Sequence, residues 1–157
     1  MRASDPHVIG PGLLPTPFTA AEIREATGTG KTIRIRVESP DGSAFERVNR
    51  FRETDAEGAT LDRWNGDSPD DITSGRVTWV ELQSHAAFPA ERTTVSTETL
   101  ELPIGRVECL RYDTKDAPDA EAATFWFSTA HPGMPVRFDA VDGGGVIRTT
   151  VVSIERD

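Results

Sequence analysis

Residues 28–32, Gly28-Thr29-Gly30-Lys31-Thr32, end in the Gly-Lys-Thr of a phosphate-binding loop. The complete loop also needs a glycine five positions before Gly30. Glu25 stands there, and its carboxylate repels phosphate. The surroundings are also reversed. A phosphate loop runs from strand to helix, so that a helix N-terminus meets the anion. Here a helix pattern precedes the loop and a strand pattern follows it, so the negative end of the helix dipole points at the loop. No nucleotide site is expected. Lys31 is expected to complement the end of that helix, so that its replacement by Ala leaves any ligand binding intact.

Other chemistry-bearing residues are sparse. The histidines are His7, His85 and His131. None has the HxH or HxxxH spacing that gathers a metal, and no metal or other cofactor is expected. His85 falls late on a helical stretch, where the dipole alone explains it. Ser84 and His85 are adjacent, and on a helix neighbouring side chains diverge. No G-x-S-x-G nucleophile elbow occurs. Glu98, Glu101 and Glu108 fall on neighbouring strand patterns, but the sequence does not place them on one face. The acidic stretches "NGDSPDDITSG" and "DTKDAPDAE" lack the calcium-loop pattern and read as solvated loops. The lone cysteine, Cys109, excludes an intrachain disulfide and reads as a small buried hydrophobe.

Aromatic residues are the more telling set. Trp79, Phe88, Phe125, Trp126, Phe127, Met134 and Phe138 gather in the second half of the chain. Plain core packing accounts for them. An apolar pocket under a helix is the other reading, with "FWFSTAHPGMPVRF" supplying a wall and a rim. Its candidate lining is Trp79, Leu82, His85, Phe88, Trp126, His131 and Met134.

The elements that must position these residues follow from pattern. Residues 1–17 form a Pro/Gly-rich arm whose prolines forbid a helix and favour extended geometry. Leu13 and Leu14 are expected to pin it to the body. Residues 18–157 form one domain. Thr19 and Glu22 make a capping box, and Phe18 with Ile23 a hydrophobic staple, for a helix over about 20–27. Gly28 is the expected left-handed residue after it. "KTIRIRVE" alternates with period two, as a half-buried strand does. Further strands are expected in "SAFERVNRFRET" and "ATLDRW", before the loop "NGDSPDDITSG". Thr78 and Glu81 mark a second helix, with Val77 and Leu82 as staple, ending near Phe88 before Pro89. Five more strand patterns follow: "RTTVSTETLEL", "RVECLRY", "ATFWFS", "VRFDAV" and "VIRTTVVSIE". "DGGG" is read as the tight turn before the last. The two helix starts share an apolar-Thr-x-x-Glu-aliphatic pattern, which fits a duplication but which capping chemistry alone also produces.

Strands joined by such short turns must be antiparallel. Several late strands are apolar on both faces: Phe125 and Phe127 against Trp126, and Ile147 and Val151 against Val146 and Val152. A one-sided sheet does not need this, but a strongly curved sheet around helices, or a dimer interface, does. The expected fold is α+β: one strongly curved antiparallel sheet, an incomplete barrel of about eight strands, with two short helices packed on it.

The net charge is -9, which argues against nucleic acid and anionic membrane surfaces as partners. No apolar run approaches the ~18 residues of a membrane span. The start "MRASDPHVIGPG" has no apolar leader core, so the chain as written is expected in the cytoplasm. A trimmed secreted or periplasmic chain would read the same.

The stretch "FWFSTAHPGMPVRF", with "ETLELPIGRVECLRY" before it, resembles the closing region of LolA-like lipoprotein-carrier half-barrels. The resemblance covers about 70 residues. It implies an incomplete barrel with helices on its concave side and an apolar cavity for acyl chains. It supplies no catalytic residues, and the start of the chain as written shows neither that family's leader pattern nor a lipobox cysteine. The expected function is therefore non-enzymatic binding of a small apolar or lipid-like ligand. The alternatives are a small cavity enzyme of cyclase or isomerase type, with His85, His131 and Glu81 as its groups, and an interaction module or homodimer that uses an apolar sheet face or edge.

Overall fold

A computed structural model describes residues 5–115, 121–142 and 145–156, and the side chain of Asp142 is not described. Part of the charged loop after Asp113, and the two central glycines of the expected "DGGG" turn, lie outside the described residues.

Nine strands form a single antiparallel sheet: β1 Thr32–Glu38, β2 Ala44–Thr54, β3 Gly58–Asn65, β4 Thr73–Thr78, β5 Thr93–Leu102, β6 Gly105–Thr114, β7 Ala123–Ser128, β8 Arg137–Asp142 and β9 Gly145–Glu155. Two short helices, α1 Ala20–Ala26 and α2 Trp79–Ser84, accompany them. The spatial order is β4-β3-β2-β1-β9-β8-β7-β6-β5. Every strand therefore pairs with its neighbour in the chain, except β4 with β5, and β1 pairs with β9. An odd number of strands explains the exception. With every existing pair antiparallel, β4 and β5 run in the same direction, so only a parallel ladder could join them, and none forms among the described residues. The sheet stays open there, and α2 is the connection that carries the chain from one edge to the other.

The strand count exceeds the expected eight because of β4. Its residues Thr73 to Arg76 are all exposed, so no apolar alternation marks it. Backbone pairing from Gly58↔Thr78 to Arg63↔Thr73 builds it. Register shifts between Arg34 and Ile35, and between Phe51 and Glu53, are bulges, which sharpen the twist of a sheet.

Helix α1 has the expected box. Thr19 Oγ1 accepts from the Glu22 N–H at 3.1 Å, and Glu22 Oε1 accepts from the Thr19 N–H at 3.0 Å. Phe18 and Ile23 are both buried in the main core. The left-handed glycine is Gly30 (φ 90°), not Gly28, because the helix ends in extended backbone at Thr27. Helix α2 starts as expected, with Thr78 Oγ1 accepting from the Glu81 N–H at 3.0 Å. It stops at Ser84, short of Phe88. Beyond it the backbone bonds to the N-terminal arm instead. The Leu14 N–H donates to Phe88 O at 2.9 Å, and the Ala90 N–H to Gly12 O at 2.9 Å.

Gln83, buried on α2, locks three segments together. Its Oε1 accepts from the Ala20 N–H (3.0 Å), and its Nε2 donates to Pro6 O (2.8 Å) and Thr16 Oγ1 (3.0 Å). Leu13 pairs with Pro89, and Leu14 packs on the core. The arm is therefore pinned as Leu13 and Leu14 implied, and Gln83 does as much of the pinning.

The main core lies between the helices and one face of the sheet. It includes Phe18, Ile23, Ile33, Ile35, Phe51, Leu61, Trp79, Phe88, Tyr112, Phe127 and Val151. A second cluster contains Leu100, Leu102, Val107, Cys109, Trp126 and Val136. The alternating strand β7 divides its aromatics between the two: Phe125 and Phe127 join the main core, Trp126 the second cluster.

Candidate ligand cavity

The inner face of β1 to β3 is set by register. Phe51 exchanges backbone hydrogen bonds with the residues at the start of β1: its N–H donates to Lys31 O at 2.9 Å, and its O accepts from the Gly30 N–H at 2.7 Å. Phe51 also pairs with Leu61. One rung on, Ile33 pairs with Asn49, and Asn49 with Arg63. Two rungs, Lys31–Phe51–Leu61 and Ile33–Asn49–Arg63, thus present six side chains to one side, because positions two apart share a face.

Those six side chains line a cavity of about 210 Å³. Its other walls are Ile23 and Thr27 at α1, Leu82, His85 and Ala86 at α2 and just after it, Phe127 of β7, and the loop Pro132-Gly133-Met134-Pro135. Most of the lining surface is apolar. Buried Ile23, Lys31, Ile33, Phe51 and Phe127 form the inner wall, and exposed Arg63 and His85 stand at the mouth.

Lys31 is the unusual member. It is only 3 % exposed. Its Nζ donates to Ala26 O at 3.2 Å, so it does complement the end of α1. An ammonium has three hydrogens, and this is its one hydrogen bond among the described residues. Burial lowers the Lys31 pKa to about 8, with the positive charge of Arg156 adding to the effect. The group therefore remains mostly protonated at neutral pH. In the same lining, Asn49 Oδ1 is buried without a hydrogen-bond partner among the described residues. Among the described residues no Asp or Glu lines the cavity.

The expected lining divides. Leu82, His85 and Met134 line the cavity. Trp79 is buried, but its Nε1 donates to Asp55 O at 2.9 Å and its ring borders a shallow groove on the other side of α2. Phe88 stacks with Tyr112 and Phe125 in the core. His131 borders a crevice of about 10 Å³ with Lys31 and Val151. Burial, then the charges of Lys31 and Arg156, hold its imidazole below its ordinary pKa. Trp126 is displaced furthest from expectation. It lies between Arg111 and Arg137, whose guanidinium carbons stand 5.3 and 5.7 Å from its ring, and its Nε1 donates to Glu98 Oε1 at 2.9 Å.

The residues suggested for acid/base work are not assembled. Glu81 is exposed and lines no cavity with His85. Glu98 is engaged by Trp126 and by Arg111 (3.0 Å), and these bonds lower its pKa. Glu108 pairs with Thr99 and Glu101 with Arg106. Cys109 is buried, and burial pushes its thiol pKa up.

The sequence reading missed Lys31, Asn49 and Arg63 as cavity residues. One signal was available for Lys31: it shares the parity of Ile33, Ile35 and Val37, the buried side of β1.

Among the described residues no helix is long and apolar enough to cross a membrane. No protein-family model matches the chain, and no curated protein does. Several solved structures are similar in fold, two of them as follows. One is described as a "putative lipoprotein" from Parabacteroides distasonis, with TM-score 0.44, 9% identity, and coverage of 82% of this chain and 96% of that one. The other is described as a "putative exported protein with YmcC-like fold" from Bacteroides fragilis, with TM-score 0.43, 12% identity, and coverage of 83% and 97%.

Proposed function

We propose that this chain is a non-enzymatic binding module for a small, largely apolar ligand. The carrying observation is the cavity of about 210 Å³ between α1, α2, the 132–135 loop and strands β1 to β3. Close-packed interiors hold few voids larger than a water molecule, so an apolar space of this size beside an open mouth is the natural ligand seat. Its size limits the occupant. An apolar cavity of ~150 Å³ takes up benzene. This one suits a ring with a short substituent, or a short chain, and a longer acyl chain would have to leave through the mouth.

The test is native mass spectrometry and solvent extraction of freshly purified protein, with thermal-shift measurements against small aromatic and aliphatic compounds. A co-purifying small molecule, or a saturable rise in Tm, is the expected result. Cavity-lining amide signals of Leu82, Ala86 and Met134 that stay unmoved by every compound would sink the reading.

A further inference from the structure

Apolar walls account for a ligand's body but not for a lysine among them. Among the described residues the cavity's charged and titratable groups are Lys31, Arg63 and His85, with no carboxylate in the lining. Lys31 is further flanked by Arg156 and His131. This one-signed lining occurs in a chain of net charge -9. An ammonium 3 % exposed, with one hydrogen bond to Ala26 O and donors to spare, is costly to bury without an anion. Asn49 adds a buried amide oxygen without a partner among the described residues, an acceptor, so the side chain serves a carboxylate only after the amide turns its NH₂ toward it.

We propose that the cavity binds a small amphiphilic carboxylate, aromatic or short-chain, whose head group accepts hydrogen bonds from Lys31 Nζ and the Asn49 amide. This rests on the ligand-binding reading above and specifies its ligand class. Of the lining cations only Lys31 is buried, Arg63 and His85 being exposed, so a monoanion fits it, whereas a buried phosphate would call for several charge-assisted donors. The apolar body lies against Ile23, Ile33, Phe51, Leu82 and Phe127. The expectation that Lys31 is dispensable for binding is thereby reversed, although its role at the end of α1 stands.

The binding should depend on pH with a definite sign. The free Lys31 ammonium deprotonates around pH 8. A bound carboxylate favours the charged form, so binding takes up protons near that pH and weakens as pH rises further. Whatever His85 and His131 contribute remains in a Lys31→Met variant and is separated by it.

The experiment titrates ¹⁵N-labelled protein, by NMR and calorimetry, with two isosteric series: benzoate, benzamide and benzylamine, and hexanoate, hexanamide and hexylamine. Carboxylates should bind about tenfold or more tighter than their amides, with the amines weakest. Lys31→Met should cost the carboxylates far more than the amides, bringing the two to similar affinity, and should remove the Lys31 share of the proton uptake measured in buffers of different ionisation enthalpy. Amides that bind as well as carboxylates, or a Lys31→Met variant that keeps carboxylate affinity, would overturn the carboxylate proposal and leave apolar binding standing. If no member of either series moves the cavity signals, the binding reading fails and this proposal with it. Wild-type carboxylate affinity that stays constant between about pH 7 and 10 overturns the proposal without needing any variant.

Discussion

Lys31 is where residue chemistry and fold stability oppose each other most clearly. Its pKa falls from 10.5 to about 8 on folding. The unfolded chain therefore holds the proton more tightly than the folded one. Below about pH 8 both states carry the charge and the full burial cost applies. Above about 10.5 both are neutral and the cost is gone. Stability from this group thus rises as pH climbs from about 8 to 10.5. The shift corresponds to ~3 kcal/mol, since one unit is 1.36 kcal/mol. Replacing the side chain by Met removes that cost but also removes the bond to Ala26 O, worth about 1 kcal/mol. Lys31→Met should therefore stabilise the protein by about 2 kcal/mol at pH 7, with the advantage fading toward pH 10.5. Urea unfolding at several pH values checks both the size and the trend. A variant less stable than wild type at pH 7 would mean that Lys31 is retained as a helix cap alone. Stabilisation on removal is the mark of a residue kept for a task other than folding.

At the scale of elements, the edge of the sheet gives the sharpest test. Gly58 begins β3 where it passes closest to β4. A Cβ added there would lie 2.0 Å from Val77 O and 2.8 Å from Thr78 Cα, both backbone atoms that cannot swing aside. Gly58→Ala must therefore part the β3–β4 pairing and disturb the start of α2. A loss of about 2–3 kcal/mol is expected in denaturant unfolding. Gly75→Ala is the control: it lies in β4 opposite Leu61, and its added Cβ meets nothing within 4 Å. It should change stability by no more than ~0.5 kcal/mol. The same edge marks the limit of what pattern discloses. β1 announces itself because Ile33, Ile35 and Val37 are buried and alternate with more exposed charges. β4 is silent because Thr73 to Arg76 bury nothing and owe their strand form to Gly58–Arg63 beside them. The early end of α2 was hidden for a related reason. Pro89 reads as the local stop, but the chain tightens earlier, with the Ala86 N–H donating to Gln83 O and the Ala87 N–H to Ser84 O, and the arm then pairs with Phe88 through Leu14, a contact distant in sequence. Gln83 reads as a solvent-facing helix residue until Pro6, Thr16 and Ala20 converge on it.

Over the whole molecule, the cavity was legible from above and hidden from below. Leu82, His85 and Met134 belong to a helix and a Pro/Gly loop flanking an aromatic strand, and their apolar clustering points to a pocket. The floor comes from three strands whose register no local pattern fixes. Asn49 and Arg63 look like solvated strand positions, and Lys31 like a partner for the end of α1 alone, until β1, β2 and β3 align them. Trp126 misled for the opposite reason. Three consecutive aromatics must divide between two faces, and sequence alone does not say which face meets the helices. The assembled cavity predicts a trade between stability and binding. Ala86 is buried, 3 % exposed, and lines the cavity beside Leu82. Ala86→Leu would place three more carbons in the space that a ligand needs. Filling a void of this kind should raise stability by about 1 kcal/mol, or Tm by about 2–4 °C for a domain of this size. The same substitution should weaken benzoate binding by about tenfold or more, through lost volume with Lys31 untouched. Paired unfolding and calorimetric titrations read both effects on one protein. A stabilised variant that still binds benzoate at wild-type strength would place the ligand elsewhere. A destabilised one would mean that the space is already closed by small movements of α2 and the 132–135 loop.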